Sequence, residues 1–173
     1  MVHWATYIAL SFSENTGKQI LNHSRIHLVD YEPIVSWSPA KYLHLTIHFI
    51  GWLSPEKIEN INPILEEYRD DILRMPLIPT GRVVFLGWET KKEYIALEIK
   101  HSSELKHLHS HIKNRLKEVG VLVKEQPFLP HITLGRVWNR VNIQDVQIPV
   151  GDFSLQAEQI ALFESIPDSI ILS

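Results

Sequence analysis

Lys41-Tyr-Leu-His-Leu-Thr-Ile-His-Phe-Ile-Gly51 and Pro127-Phe-Leu-Pro-His-Ile-Thr-Leu-Gly-Arg136 are two similar stretches far apart in one chain. Each sets a His-x-Thr inside an apolar, β-branched run: His44-Leu45-Thr46 and His131-Ile132-Thr133. Side chains at i and i+2 of a strand share a face. Each histidine therefore stands beside a threonine hydroxyl on one side of a sheet. The remaining sequence reads as scaffold that brings these two strands together.

Working outward, 4–12 is rich in strand formers and reads as a first strand. Ser11 or Ser13 can cap a helix over 14–24, with Ile20 and Leu21 inward and Gly17 weakening it. A short strand over 34–37 ends at Ser38-Pro39, and 42–52 is the first motif strand. Ser54 and Pro55 form an N-cap and N1 pair for a helix to about residue 71. Ile58, Ile61, Ile64, Leu65 and Tyr68 recur on it at helical spacing, and Pro63 is expected to kink or split it. Strands over 77–88 and 94–100, joined by a polar turn at 89–93, form an antiparallel hairpin. In the second of these, Ile95, Leu97 and Ile99 alternate with Tyr94, Ala96 and Glu98. A helix over 102–119 carries Leu105, Leu108, Ile112 and Leu116 inward and stops at Gly120. The second motif strand covers 130–138, 139–151 reads as loop, and strands at 153–155 and 159–163 complete the chain. The strand–helix–strand theme occurs twice, each time with a His-x-Thr strand. The expectation is α+β: one domain over 1–173, with two pseudo-symmetric antiparallel lobes, helices outside and a central cleft.

Composition sets limits. With 45% apolar and 21% charged residues, the chain can bury a sizeable core. A net charge of −3 gives no bulk attraction for nucleic acid, so a polyanion needs a local basic cleft. Absence of cysteine excludes disulfides, thiolate nucleophiles and cysteine metal sites. No signal-peptide pattern and no apolar run of about 18 residues is present, so cytoplasmic is the default expectation.

Two histidines that titrate near neutral pH can serve one reaction as base and acid. Such a pair suits displacement at a phosphodiester: one activates the attacking hydroxyl, the other protonates the departing oxygen. The threonine hydroxyls can donate to the non-bridging oxygens where charge develops. No metal or other cofactor is required. On the residues alone a second reading stands beside this one, in which both are half-buried strand histidines bonded to backbone.

The paired motifs and their flanks resemble those of the two-histidine (2H) phosphoesterase superfamily. Within it, the RNA 2′,3′-cyclic phosphodiesterases, also called 2′-5′ RNA ligases, are the nearest branch. Tyr7-Ile-Ala-Leu10, Trp37 with Pro39, Thr80-Gly-Arg-Val-Val-Phe-Leu-Gly-Trp88 and Leu162-Phe-Glu-Ser165 extend the likeness over nearly the whole chain. The resemblance implies metal-independent hydrolysis of a 2′,3′-cyclic phosphate, at an RNA end or on a small nucleotide, to a 2′-phosphate. It implies that His44 protonates the leaving oxygen, that His131 activates water, and that Thr46 and Thr133 hold phosphoryl oxygens. It also points to Arg136 as a phosphate-binding cation. Simple alternation puts position 136 on the face opposite His131, unless Gly135 allows a bulge that re-aims it. A short stretch after Arg136 departs from the branch and bears on the substrate.

Cleavage of linear 2′-5′ linkages or of a cyclic phosphate on ADP-ribose is the alternative enzymatic expectation. A non-catalytic RNA- or nucleotide-binding module on the same fold is the other. His48 shares strand parity with His44 and Thr46 and is a candidate cleft residue. Tyr7, Phe128 and Trp138 are candidate stacking surfaces, and Lys41, Arg82, Lys124 and Arg140 a candidate positive rim. His107 and His111, at i and i+4, have metal-ligand spacing without a third ligand in view. No phosphate-binding glycine loop or nucleotide fingerprint occurs, which argues against an ATP-dependent ligase.

Overall fold

A computed structural model describes residues 5–88, 91–138, 143–151 and 153–165. Part of the expected 89–93 turn, Arg140 and the first residue of the expected 4–12 strand lie outside these. In chain order the elements are β1 (Ala5–Ser11), α1 (Glu14–His27), β2 (Val35–Trp37), β3 (His44–Gly51), α2 (Pro55–Glu66), α3 (Arg69–Ile72), β4 (Pro76–Leu77), β5 (Pro79–Trp88), β6 (Lys91–Ile99), α4 (Ser103–Glu118), β7 (His131–Val137), β8 (Val146–Gln147), β9 (Leu155–Gln156) and β10 (Gln159–Ser165). Single 3₁₀ turns at Val29–Ile34 and Ala40–Tyr42 flank β2.

The main sheet has the order β10-β1-β3-β7-β6-β5-β8, with β2 also paired to β7, and β4 pairs separately with β9. Among the described strands all pairings are antiparallel. The two motif strands meet at the centre, where Leu45 lies opposite Ile132. The inward residues of the strands, including Ile8, Leu45, Ile95, Leu97 and Ile132, join Ile20, Ile61, Leu65, Leu105 and Ile112 of the helices in one buried cluster. The helices thus take up the apolar back of the sheet and leave its other face for the site.

Two serines cap their helices through side-chain bonds, whereas Ser54, expected as the cap of α2, stands at that position without one. The Ser13 hydroxyl accepts from the Thr16 N–H at 3.0 Å, and the Ser102 hydroxyl from the Leu105 N–H at 3.1 Å. Gly120 follows α4 with φ +71°, as its helix-stop position requires. Gly17 is tolerated inside α1 because the helix packs there on the Ala40 carbonyl, leaving no room for a Cβ.

Pro63 does not split its helix. It sits exposed within α2, and the break comes at Glu67 and Tyr68, before α3. The carbonyl that proline leaves unpaired belongs to Glu59, itself exposed, so water can satisfy it. Inside the expected 139–151 loop the described residues include a two-residue strand, β8, too short to show a period. It pairs with β5 through Val83 and Val146.

Both motif strands are bulged. Opposite β1, Thr46 faces Ala9 and His48 faces Ile8, so Ile47 is an extra residue. Opposite β6, Thr133 faces Ala96 and Gly135 faces Ile95, so Leu134 is extra. At the second bulge β2 crosses closely: a Cβ on Gly135 would meet the Ser36 carbonyl oxygen at 2.5 Å and the Trp37 Cα at 3.0 Å. Gly135→Ala is therefore expected to cost roughly 1–3 kcal/mol, as overpacking does. Urea unfolding measures it, and an unchanged midpoint would show that β2 has room to shift.

Candidate active site

His44 and His131 open their strands, and each ring is tied to the chain two residues earlier. His44 Nδ1 lies 2.9 Å from the Tyr42 carbonyl oxygen, and His131 Nδ1 lies 2.6 Å from that of Leu129. A carbonyl can only accept, so each Nδ1 carries the proton and donates it. Each Nε2 is left as the ring atom for chemistry: a base when the imidazole is neutral, an acid when it is protonated.

One step either way along the Leu45–Ile132 rung, the antiparallel sense sets His44 across from Thr133 and Thr46 across from His131. All four line one cavity of about 220 Å³. Tyr7, Ser38, Tyr42 and Tyr94 add hydroxyls to its wall. Tyr7 packs against His44 with centroids 5.1 Å apart and stacks on Phe163 at 5.6 Å, which fixes the imidazole from behind. Burial raises the Tyr7 pKa, so its hydroxyl stays a donor.

The cleft shifts both histidines in the same direction. Burial pushes His44 below its ordinary value of 6.5; the Tyr42 carbonyl opposes this and charge on His131 adds to it. His131 is lowered by burial and partly restored by the Leu129 carbonyl. Both free rings therefore favour the neutral form at neutral pH.

The bulges decide which side chains join each dyad. Because Leu134 is extra, Arg136 comes opposite Tyr94, which lines the cavity. Arg136 thus returns to the cleft face, against simple alternation, and stands beyond the cavity wall with its guanidinium 5.8 Å from the Trp138 ring centroid. Because Ile47 is extra, Phe49 comes opposite Tyr7 and lines the cavity in the matching place.

The same bulge removes His48 from this cavity, contrary to its parity. It lies opposite the fully buried Ile8, is only 5% exposed, and its Nε2 is 2.8 Å from the His109 carbonyl oxygen. Burial lowers its pKa too. Phe128 and Lys124 border an adjoining chamber rather than the cavity itself. Lys41 stays at the rim, its Nζ 4.7 Å from the ring centroid of Tyr42. Arg82 does not line the cavity, and Asp145 at 2.6 Å and Glu98 at 3.3 Å engage it. Trp138 is exposed, and Arg140 lies outside the described residues.

The rings of His107 and His111 lie 4.0 Å apart on an outer groove, apart from the cavity. Among the described residues no group of three His, Asp or Glu side chains is placed to hold a metal ion. Among them, too, no helix is long and apolar enough to cross a membrane.

Sequence reading missed Ser38, Tyr42 and Tyr94 as cavity residues. Tyr94 left a signal through its alternation with the core-facing Ile95, and Tyr42 through its parity with His44 and Thr46.

An antiparallel sheet backed by helices, with two histidine–threonine strands meeting on its open face, defines a two-histidine phosphoesterase. The chain belongs to the 2′-5′ RNA ligase superfamily, whose family model matches residues 27–161. It is 29% identical over 139 residues to the RNA 2′,3′-cyclic phosphodiesterase of Bacillus subtilis, covering 77% of this chain and 75% of that protein. It is 26% identical over 155 residues to the Thermotoga maritima enzyme of the same name, covering 83% and 78%. Among solved structures, TT0787 of Thermus thermophilus superposes with a TM-score of 0.66 at 15% identity, covering 95% of each chain. LigT of E. coli, complexed with 3′-AMP, superposes at 0.63 with 19% identity, covering 94% of this chain and 88% of that one. At these identities the two structures speak for the fold alone.

Among the described residues four histidines are lowered from 6.5: His44, His48, His131 and His109, the last to about 4. As pH falls, the unfolded chain takes up protons first, so stability is complete above 6.5 and declines toward the lowered values. The urea midpoint is expected to be lower at about pH 5 than at about pH 7.5, with His109→Phe flattening part of the slope. A midpoint independent of pH in this window would contradict the burial of these rings.

Proposed function

We propose that this chain is a metal-independent phosphodiesterase that opens a 2′,3′-cyclic phosphate and leaves a 2′-phosphate. The observation that carries the proposal is the pair of carbonyl-held imidazoles, each with Nε2 free, lining one cavity with two threonines. In this scheme neutral His131 takes a proton from water at Nε2 as the water oxygen bonds to phosphorus. The bond from phosphorus to the 3′-oxygen breaks, its electron pair stays on that oxygen, and protonated His44 supplies the proton from Nε2. One proton is taken and one given, so the site needs no external cofactor to balance the step. Thr46 and Thr133 donate to the two non-bridging oxygens, which gain charge in the transition state. Arg136, brought to the cleft face by the bulge, adds the positive charge that an anionic phosphate requires. The names of the Bacillus and Thermotoga relatives support the same substrate class.

His44→Ala and His131→Ala are each expected to lower kcat at least about 10²–10⁴-fold on a cyclic nucleotide, in the presence of EDTA. Full activity in either variant, or activity that EDTA removes, would overturn the scheme, and phosphorus NMR identifies the product as 2′- or 3′-phosphate. The base works above its pKa and the acid below its own. Because burial lowers both from 6.5, kcat/KM is expected to peak below pH 6.5 and to fall through neutrality. A plateau extending above pH 7 would contradict the burial-lowered pKa of the histidine acting as acid.

A further inference from the structure

The two site imidazoles are held by the same kind of bond, but the carbonyls that hold them are not equally secured. The Tyr42 carbonyl belongs to the 3₁₀ turn at Ala40–Tyr42. That turn is closed by the Tyr42 N–H on the Pro39 carbonyl at 3.0 Å and the Leu43 N–H on the Ala40 carbonyl at 3.3 Å. The Leu129 carbonyl instead lies near the end of a run, 121–130, that forms neither helix nor strand. Among the described residues, no hydrogen bond joins the backbone of 122–129 to another backbone group. The first such tie comes one residue later, where the Pro130 carbonyl accepts from the Ile99 N–H at 2.9 Å. A chamber of about 280 Å³ beside the cavity borders 126–129 and His131, so this stretch has space to move into.

Side chains must therefore place the Leu129 carbonyl. Leu129 itself is 39% exposed and gives little anchorage. Glu125 pairs with Lys113 at 2.6 Å, but that carboxylate is 75% exposed, and ion pairs of this kind are weak. Val123 packs on the core, but too far back along the chain to fix position 129. Phe128 is the adjoining residue, and it is half-buried. Its ring stacks on His109 of α4, with centroids 4.1 Å apart and planes 17° from parallel. The His48 ring lies 4.1 Å from the same imidazole, so His109 is enclosed between two rings and cannot swing away from Phe128. The one hydrogen bond at His109 uses its backbone carbonyl, with His48 as donor; among the described residues none reaches its ring. Burial, with the charges of His48 and Lys113, lowers its pKa to about 4, so the ring is neutral at neutral pH. His109 thus acts through its flat aromatic surface alone.

We propose that His109 is a positioning residue for His131: its stack with Phe128 holds the Leu129 carbonyl where the His131 Nδ1–H can donate to it, which keeps the His131 Nε2 bare. His109 lies outside the cavity and touches no reacting group. This inference rests on the proposed role of His131 as the base.

Nitrogen-15 NMR of the histidine rings at neutral pH tests it without turnover. In the unaltered protein His131 should show a protonated Nδ1 and a bare Nε2. His109→Ala should let His131 spread its proton over both ring nitrogens, because the hydrogen bond a ring makes sets its tautomer. Phe128→Leu removes the other ring of the stack and should do the same, so the result does not depend on one variant folding. His109→Phe, which keeps a flat ring, should preserve the Nδ1 proton. His44 is the control: its carbonyl is held by the 3₁₀ turn, so it should keep its Nδ1 proton in all three variants. On a cyclic nucleotide, kcat is expected to fall roughly 10–100-fold in His109→Ala, the scale of a misplaced reacting group, with KM unchanged and kcat restored in His109→Phe. A His131 that keeps its single tautomer in both His109→Ala and Phe128→Leu would overturn the assignment. So would a tautomer change that appears equally at His44, which would mark general loosening. Failure of the unaltered protein to hydrolyse the nucleotide would count against the active-site reading, whereas the NMR result decides the positioning by itself.

Discussion

One rung of a β-ladder carries the design. Leu45 and Ile132 face each other at the centre of the sheet, and both are fully buried among the residues that anchor the helices. Residues directly opposite on paired strands have Cβ atoms about 5 Å apart. The residues on either side of this rung point the other way, out of the core. They are His44, Thr46, His131 and Thr133. The apolar pair therefore sets the spacing of the polar four, and the hydrophobic core indirectly sets the distance at which the two histidine–threonine pairs face each other. Replacing either buried side chain with alanine would cost about 2–5 kcal/mol and loosen the site from behind.

The two halves share this rung and then separate, and each strand carries a bulge soon after its threonine. The first consequence is geometric. Positions 49 and 136 return to the cleft face while 48 leaves the cavity. The second is chemical. The matching places hold Phe49 and Arg136, so a backbone that nearly repeats itself offers an apolar ring on one side and a cation on the other. That difference gives an almost symmetric site a direction.

Burial works on the histidines in two ways. It lowers their pKa values, which favours the neutral ring at neutral pH. It also strengthens the hydrogen bonds to Tyr42 and Leu129, because charges and dipoles interact more strongly away from water. Those bonds hold each ring in one tautomer. Their carbonyls lie two residues back along the same chain, so the orientation of each ring is secured locally and does not depend on the other half of the molecule.

Much of this was legible in the residues. The alternation around His44 and His131 located the dyads on strands, and the serine caps and Gly120 located helix ends, because these signals are local. That the two imidazoles and two hydroxyls share one face was legible as well, since it follows from strand alternation. What the sequence could not determine was which residues a bulge displaces. An extra residue in β3 or β7 is defined only against β1 or β6, its distant partner strand. His48 therefore shared the parity of His44 yet faces away from the cavity, and Arg136 lacked the parity of His131 yet faces the cleft. Gly135 hinted at the second case, but its need for glycine arises from the crossing of β2, which no local pattern records. The chamber formed by α4 and the approach to β7 likewise exists only where two strands diverge in three dimensions. Local sequence set the two histidine–threonine pairs on their strands, and the long-range pairing of strands decided which neighbours they have.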